Sequence, residues 1–182
     1  ELMAKDWFSL ISHLGIKKAH VFGWSDGGVI GLKLAIDHSE VIAKLAIMGA
    51  NTLPPEISAY PWAIESVTAV KEHIEKKIAV KDQSENWDAS KQVMELLFSD
   101  PNISFSQLES IRAPVLVMAA DKDVIVAEHT LSIFHHLKKS HLAIFPGQTH
   151  MAPVTDAPTF NATMELFFTS QFKRPDTKDY FK

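Results

Sequence analysis

The chain has no cysteine. That excludes a disulfide scaffold, a thiolate nucleophile and a Cys-ligated metal; no metal and no cofactor are expected. No apolar run approaches the roughly 20 residues of a membrane span, so no membrane association is expected. Neither sign of charge dominates, with 18 Lys and Arg against 22 Asp and Glu. The basic residues are scattered apart from pairs such as Lys17-Lys18, Lys76-Lys77 and Lys138-Lys139, which gives no electrostatic reason to expect nucleic acid. There is also no initiator methionine, no internal repeat and no low-complexity tract. Any targeting segment would lie upstream of Glu1, and a cytoplasmic location is expected.

What is present suits one domain with a sizeable core: 182 residues, 46% of them apolar. Strands are expected at about 18–23, 41–48, 114–120 and 140–145. The first, third and fourth are short, near-continuous apolar runs, as strands covered on both faces should be. Helices are expected at 2–14, 27–38, 128–137 and 156–170. The first carries a stripe of Met3, Trp7, Leu10, Ile11 and Leu14, with Gly15 as its stop. Alternation of strand and helix predicts an α/β fold with a doubly wound, mostly parallel sheet of about four strands. The middle breaks this rhythm. Pro61 opens a helix with Ile64, Val67, Ile74 and Ile78. Asp82 and Glu85 make a capping-box pattern before a second helix with Trp87, Met94, Leu97 and Phe98. Two helices inserted between sheet strands read as a lid. The expected division is therefore 1–50 (sheet, first part), 51–105 (lid), 106–172 (sheet, second part) and 173–182 (polar tail).

The strongest local signal is Gly23-Trp24-Ser25-Asp26-Gly27-Gly28, placed between an apolar run and a helical pattern. A serine on the sharp turn between strand and helix is forced into a strained backbone conformation, with small neighbours at Gly23 and Gly27 and close packing at Gly28. The turn lifts the hydroxyl clear of the sheet, and the first amides of the helix face the same spot. A hydroxyl is a poor nucleophile until a base takes its proton, and that base needs an orienting carboxylate. The third strand runs out into Asp121-Lys122-Asp123. The fourth runs out through Pro146-Gly147 to His150. His150 is the candidate base, and the other eight histidines, including His135-His136, read as surface residues. Asp121 and Asp123 compete for the orienting role. Asp123, deeper in its loop, is the favoured acid, and Asp121 is left to bond loop amides.

These motifs, with Gly49-Ala50-Asn51 after the second strand, resemble the α/β-hydrolase superfamily and, more narrowly, the biphenyl hydrolase-like group. The resemblance implies Ser25 as nucleophile, Asp123 as acid and His150 as base. It also implies the Asp26 amide as an oxyanion donor and makes Asp26 and Trp24 candidates for contact with substrate. In that group the aspartate after the nucleophile recognises a substrate amino group; the alternative is that Asp26 only holds the elbow. One departure stands out. Family members build the first half of the sheet, and a His-Gly oxyanion loop, from residues ahead of the first helix, and no His-Gly dipeptide occurs here. This chain is therefore expected to be a C-terminal portion of the fold. Its strand 18–23 would leave a free edge, to be covered by a second copy in a homodimer or by a missing N-terminal segment. The expected activity is hydrolysis of a small-molecule carboxylic ester, including an α-amino acid ester. Carbon–carbon bond hydrolysis by the same triad, and a non-catalytic binding module, are the alternatives.

Overall fold

The computed structural model describes residues 2–181. In chain order its elements are α1 (Leu2–His13), β1 (Ala19–Trp24), α2 (Asp26–Asp37), β2 (Ile42–Met48), α3 (Pro55–Ser58), α4 (Pro61–Ala79), α5 (Trp87–Ser99), α6 (Phe105–Glu109), β3 (Val115–Lys122), α7 (Ala127–His136), β4 (Ser140–Thr149), α8 (Ala152–Thr155) and α9 (Ala157–Thr169). The four strands form one sheet in the order β1-β2-β3-β4, and every neighbouring pair is parallel.

Alternation along the strands sends side chains to two cores. Leu45 and Ile47 of β2 and Val115 and Val117 of β3 pack with Leu32, Ile133 and Leu137, under α1, α2 and α7. Ala46, Met48, Leu116, Met118 and Ala120 point the other way, onto Phe160 and Phe167 of α9. Burial of each such Leu, Ile or Val is worth about 1.5–3 kcal/mol. The sheet is thus doubly wound, with helices on both faces.

Several local expectations need correction. Coverage on both faces holds for β3, whose first six residues are buried, but β1 and β4 are edge strands and only partly covered. β4 runs on through Pro146 to Thr149 instead of ending at Phe145. Pro lacks an N–H, which an edge strand tolerates. On α1 the expected stripe is mostly outside: Met3, Trp7, Leu10 and Leu14 are exposed, and Ala4, Phe8 and Ile11 face the core. The helix expected at 156–170 is α9, with a proline in its first turn, and a separate short helix, α8, precedes it. A further short helix, α6, opens on a capping box of Ser104 and Gln107. Asp82 does not cap α5, since Asn86 does, accepting from the Ala89 amide at 3.1 Å. Instead Asp82 accepts from Trp87 Nε1 at 2.9 Å, Lys77 Nζ at 3.0 Å and the Ser84 hydroxyl, tying the α4–α5 turn together. These hydrogen bonds, Ser84 foremost, hold its carboxyl below the usual range. Among the described residues no helix is long and apolar enough to cross a membrane.

Candidate active site

Parallel strands deliver their C-terminal ends to one side of a sheet, and each candidate residue sits at such an end. Ser25 follows β1 directly and adopts φ 55°, ψ −123°, a left-handed conformation that costs a β-carbon residue about 1–2 kcal/mol. It is held there because its amide donates to Met48 O at 2.8 Å and its carbonyl accepts from Gly28 N at 2.8 Å. Gly23 is required by contact: a β-carbon there would lie 2.1 Å from Gly27 O. Gly27 is not, because a β-carbon there would meet nothing within 4 Å.

Beyond β3, Asp123 is 3% exposed. Its Oδ1 lies 2.7 Å from His150 Nδ1 and accepts from Val124 N at 2.7 Å; its Oδ2 accepts from Ala120 N at 3.2 Å. Burial alone would raise the Asp123 pKa. The bonds from His150, Ala120 and Val124 and the attraction of His150 outweigh it, leaving the carboxyl below its ordinary range. Asp121 turns elsewhere and accepts from Gly147 N at 2.9 Å, pinning β4 to β3 at the bulge between Ala120 and Lys122. Trp24 does not offer its indole N–H to the cavity. Trp24 Nε1 donates to the main-chain oxygen of His150 at 2.9 Å.

Ser25 opens into a cavity of about 350 Å³ whose walls include Asp26, Asn51, Trp62, Val67 and Leu97. A larger cavity of about 540 Å³, lined by α1, α2 and α5, shares Asp26 and Leu97 with it. Asp26 is exposed, and its carboxylate makes no hydrogen bond or ion pair among the described residues. The end of α3 and the turn into α4 are stitched to the loop that carries Asp123, with Tyr60 N donating to Val124 O at 3.0 Å and Val126 N to Ser58 O at 2.9 Å.

Two neighbours of the site escape sequence reasoning. Gly49 follows β2 with φ +57°, and a β-carbon there would stand 2.6 Å from His150 Cε1 and Nδ1. His129, expected on the surface, is 6% exposed. It lies at the start of α7, and its Nε2 accepts from Thr52 N at 3.0 Å. Burial lowers its pKa. In the sequence Gly49 stands out as a glycine directly after a strand and as part of Gly49-Ala50-Asn51, neither of which places it against His150; His129 carries no signal.

Residues 3–77 match the family model described as alpha/beta hydrolase fold. The human serine hydrolase BPHL is 30% identical over 174 residues, covering 90% of this chain and 59% of that protein. The putative carbamate hydrolase RutD of Caulobacter sp. strain K31 is 25% identical over 193 residues, 93% of this chain and 72% of that one. Among solved structures, MGS-M2, an alpha/beta hydrolase enzyme from a deep-sea metagenome, superposes with a TM-score of 0.72 at 16% identity, covering 96% of this chain and 73% of its own. The chain thus spans 59% of the length of the human and mouse BPHL proteins.

Proposed function

We propose that this chain, whose fold is that of the α/β-hydrolases, is a serine hydrolase cleaving a small-molecule carboxylic ester. The observation that supports this most is the 2.7 Å bond between His150 and buried Asp123 at the strand ends, with His150 tied through Trp24 to the strand that leads into Ser25. In this reading Asp123 fixes the imidazole tautomer with Nδ1 protonated, leaving Nε2 as the base. The Ser25 hydroxyl proton passes to His150 as Oγ bonds the carbonyl carbon. The oxyanion meets the amide of Asp26 at the start of α2, where helix N–H groups lack partners. His150 then protonates the departing alkoxide. Water attacks the acyl-enzyme, giving its proton to His150, and Ser25 leaves with that proton as the acid is released. The helices α4 and α5 act as a lid, supported by Trp62, Val67 and Leu97 in the cavity wall.

A fluorophosphonate probe followed by intact-mass measurement tests this reading. One label is expected on the parent protein and none on Ser25→Ala, with ester hydrolysis falling by about 10⁶. An unlabelled parent would favour the non-catalytic reading. Carbamates and carbon–carbon diketones belong in the same assay, since a relative from Pseudomonas sp, 39% identical over 44 residues, is named as a 2-hydroxy-6-oxononadienedioate hydrolase.

The partner-free carboxylate of Asp26 supports recognition of a substrate ammonium by a charge-assisted bond. Asp26→Ala should then weaken α-amino esters by about tenfold or more relative to matched esters without the amine. Equal losses on both would leave Asp26 a structural role. The free edge of β1, where Phe22 is 40% exposed, supports cover by a second copy or a further segment. Sedimentation as a monomer together with free hydrogen exchange at Ala19–Phe22 would remove this part of the reading.

A further inference from the structure

We propose that Trp24 and Gly49 are positioning residues for His150, holding the imidazole in place from two strands other than its own. The proposal rests on the reading of His150 as the base. The Asp123 carboxylate grips the imidazole at one atom, Nδ1, at 2.7 Å. A single hydrogen bond leaves the ring free to pivot about it, and a base must hold its other nitrogen to within a fraction of an ångström.

The missing constraints come from β1 and β2. Trp24 ends β1 and directly precedes Ser25. Its Nε1 donates to His150 O at 2.9 Å, and its ring lies 5.9 Å from the imidazole, tilted by 44°. One stretch of backbone thus carries both the nucleophile and the donor that fixes the base. Gly49 follows β2 and forms the floor under the ring. Its φ of +57° already disfavours a side chain. A methyl there would also meet His150 Cε1 and Nδ1 at 2.6 Å and Asp123 Oδ1 at 3.3 Å. The backbone at Gly49 cannot recede, because its amide donates to Met118 O at 3.0 Å and the preceding Met48 O accepts from Ser25 N at 2.8 Å. The ring would have to move.

The test compares Gly49→Ala, Trp24→Phe and Gly15→Ala. Gly15 has φ +66° with nothing within 4 Å of a built β-carbon, so its variant carries the backbone strain without the collision. For each, kcat and KM are measured on p-nitrophenyl acetate, and the low-field imidazole N–H resonance of His150 is followed by NMR. Gly49→Ala should lower kcat by about 10² with KM held, and shift or abolish the resonance. Gly15→Ala should leave both unchanged. Trp24→Phe keeps an aromatic ring but removes the donor. It should lower kcat by about tenfold with KM held, and speed solvent exchange of the imidazole proton.

A Gly49→Ala variant with parental kcat and an unmoved resonance overturns the proposal. So does a Trp24→Phe variant that raises KM alone, since that marks Trp24 as a substrate contact. If circular dichroism shows Gly49→Ala unfolded, Trp24→Phe decides. If the parent neither hydrolyses the ester nor takes the fluorophosphonate, the reading of His150 as base fails, while the resonance and its exchange still decide whether Trp24 and Gly49 position the ring.

Discussion

The loops at the strand ends and the helix pair α4–α5 are built on opposite plans. Ser25, Gly49, Asp121, Asp123 and His150 at the strand ends, and His129 in the first turn of α7, each contact a residue from another element, through hydrogen bonds of 2.7–3.0 Å or direct packing. On α5, by contrast, no residue is buried, and on α4 only Ala63 and Ile74 are. Their junction is secured by a local knot around Asp82, from residues five or fewer positions away. In the proposed reading, atoms that must keep a distance are cross-tied, and the cover is left able to open. Few buried contacts are what permits local opening at low cost.

That contrast can be broken at its strongest point first. Asp123→Asn should cut kcat by about 10⁴, because an amide stabilises the wrong imidazole tautomer. Asp121→Asn, which loosens only the Gly147 tether, should cost far less. Ester kinetics on the two variants would refute the assignment if their order were reversed.

The next test concerns stability. Leu32→Ala, at a fully buried site, should destabilise by about 2–5 kcal/mol, lowering Tm by roughly 2–4 °C per kcal/mol. Leu96→Ala on α5, where the residue is 44% exposed, should stay within about 0.5 kcal/mol. Equal losses in thermal melts would show α5 to be as integral as α2.

The smallest expected effect is a pH limit on the cross-tied region. His129 is buried as the neutral imidazole, accepting from Thr52 N, and its pKa is lowered in the folded protein. Below about pH 6.5 the unfolded chain takes up a proton there that the folded chain refuses. This contribution is therefore present above pH 6.5 and is lost as pH falls, at no more than about 1.4 kcal/mol per pH unit. Asp123 acts lower, its contribution present above its ordinary 3.8 and lost as pH falls through its depressed value. Urea midpoints between pH 7 and 5 should decline less in His129→Gln than in the parent. An identical decline would clear His129 of the effect.

What the sequence made legible was local. A glycine-flanked serine after an apolar run specifies a turn, and the parallel order of strands follows from alternation alone. Sequence favours Asp123 because it lies two residues beyond Asp121, and in the structure it is the carboxylate bonded to His150. What stayed hidden needs neighbours distant in sequence. By sequence Trp24 is a candidate for substrate contact, but its indole N–H donates to a carbonyl 126 residues away. His129 looked like any helical histidine, because burial depends on which face meets Thr52. The α1 stripe misled for the same reason: periodicity marks an apolar face without naming what lies against it. At Asp82 the capping pattern fails because α5 starts later, at Trp87 behind Asn86, and the carboxylate accepts from Ser84, Trp87 and Lys77 instead.

The strands lie in the sheet in the order in which they occur in the chain. During synthesis each new strand therefore meets the edge of the one made just before it, and no strand has to be threaded between two others. Assembly can keep pace with elongation, because a domain forms from its N-terminal side as the chain emerges. The bond from Trp24 to His150 cannot. It closes a loop of 126 residues, and such contacts come late because the entropy of closing them must be met first. In the proposed reading, a chain not yet extended through β4 holds Ser25 on its turn with no base in reach, and chemistry waits for β4 to be laid down.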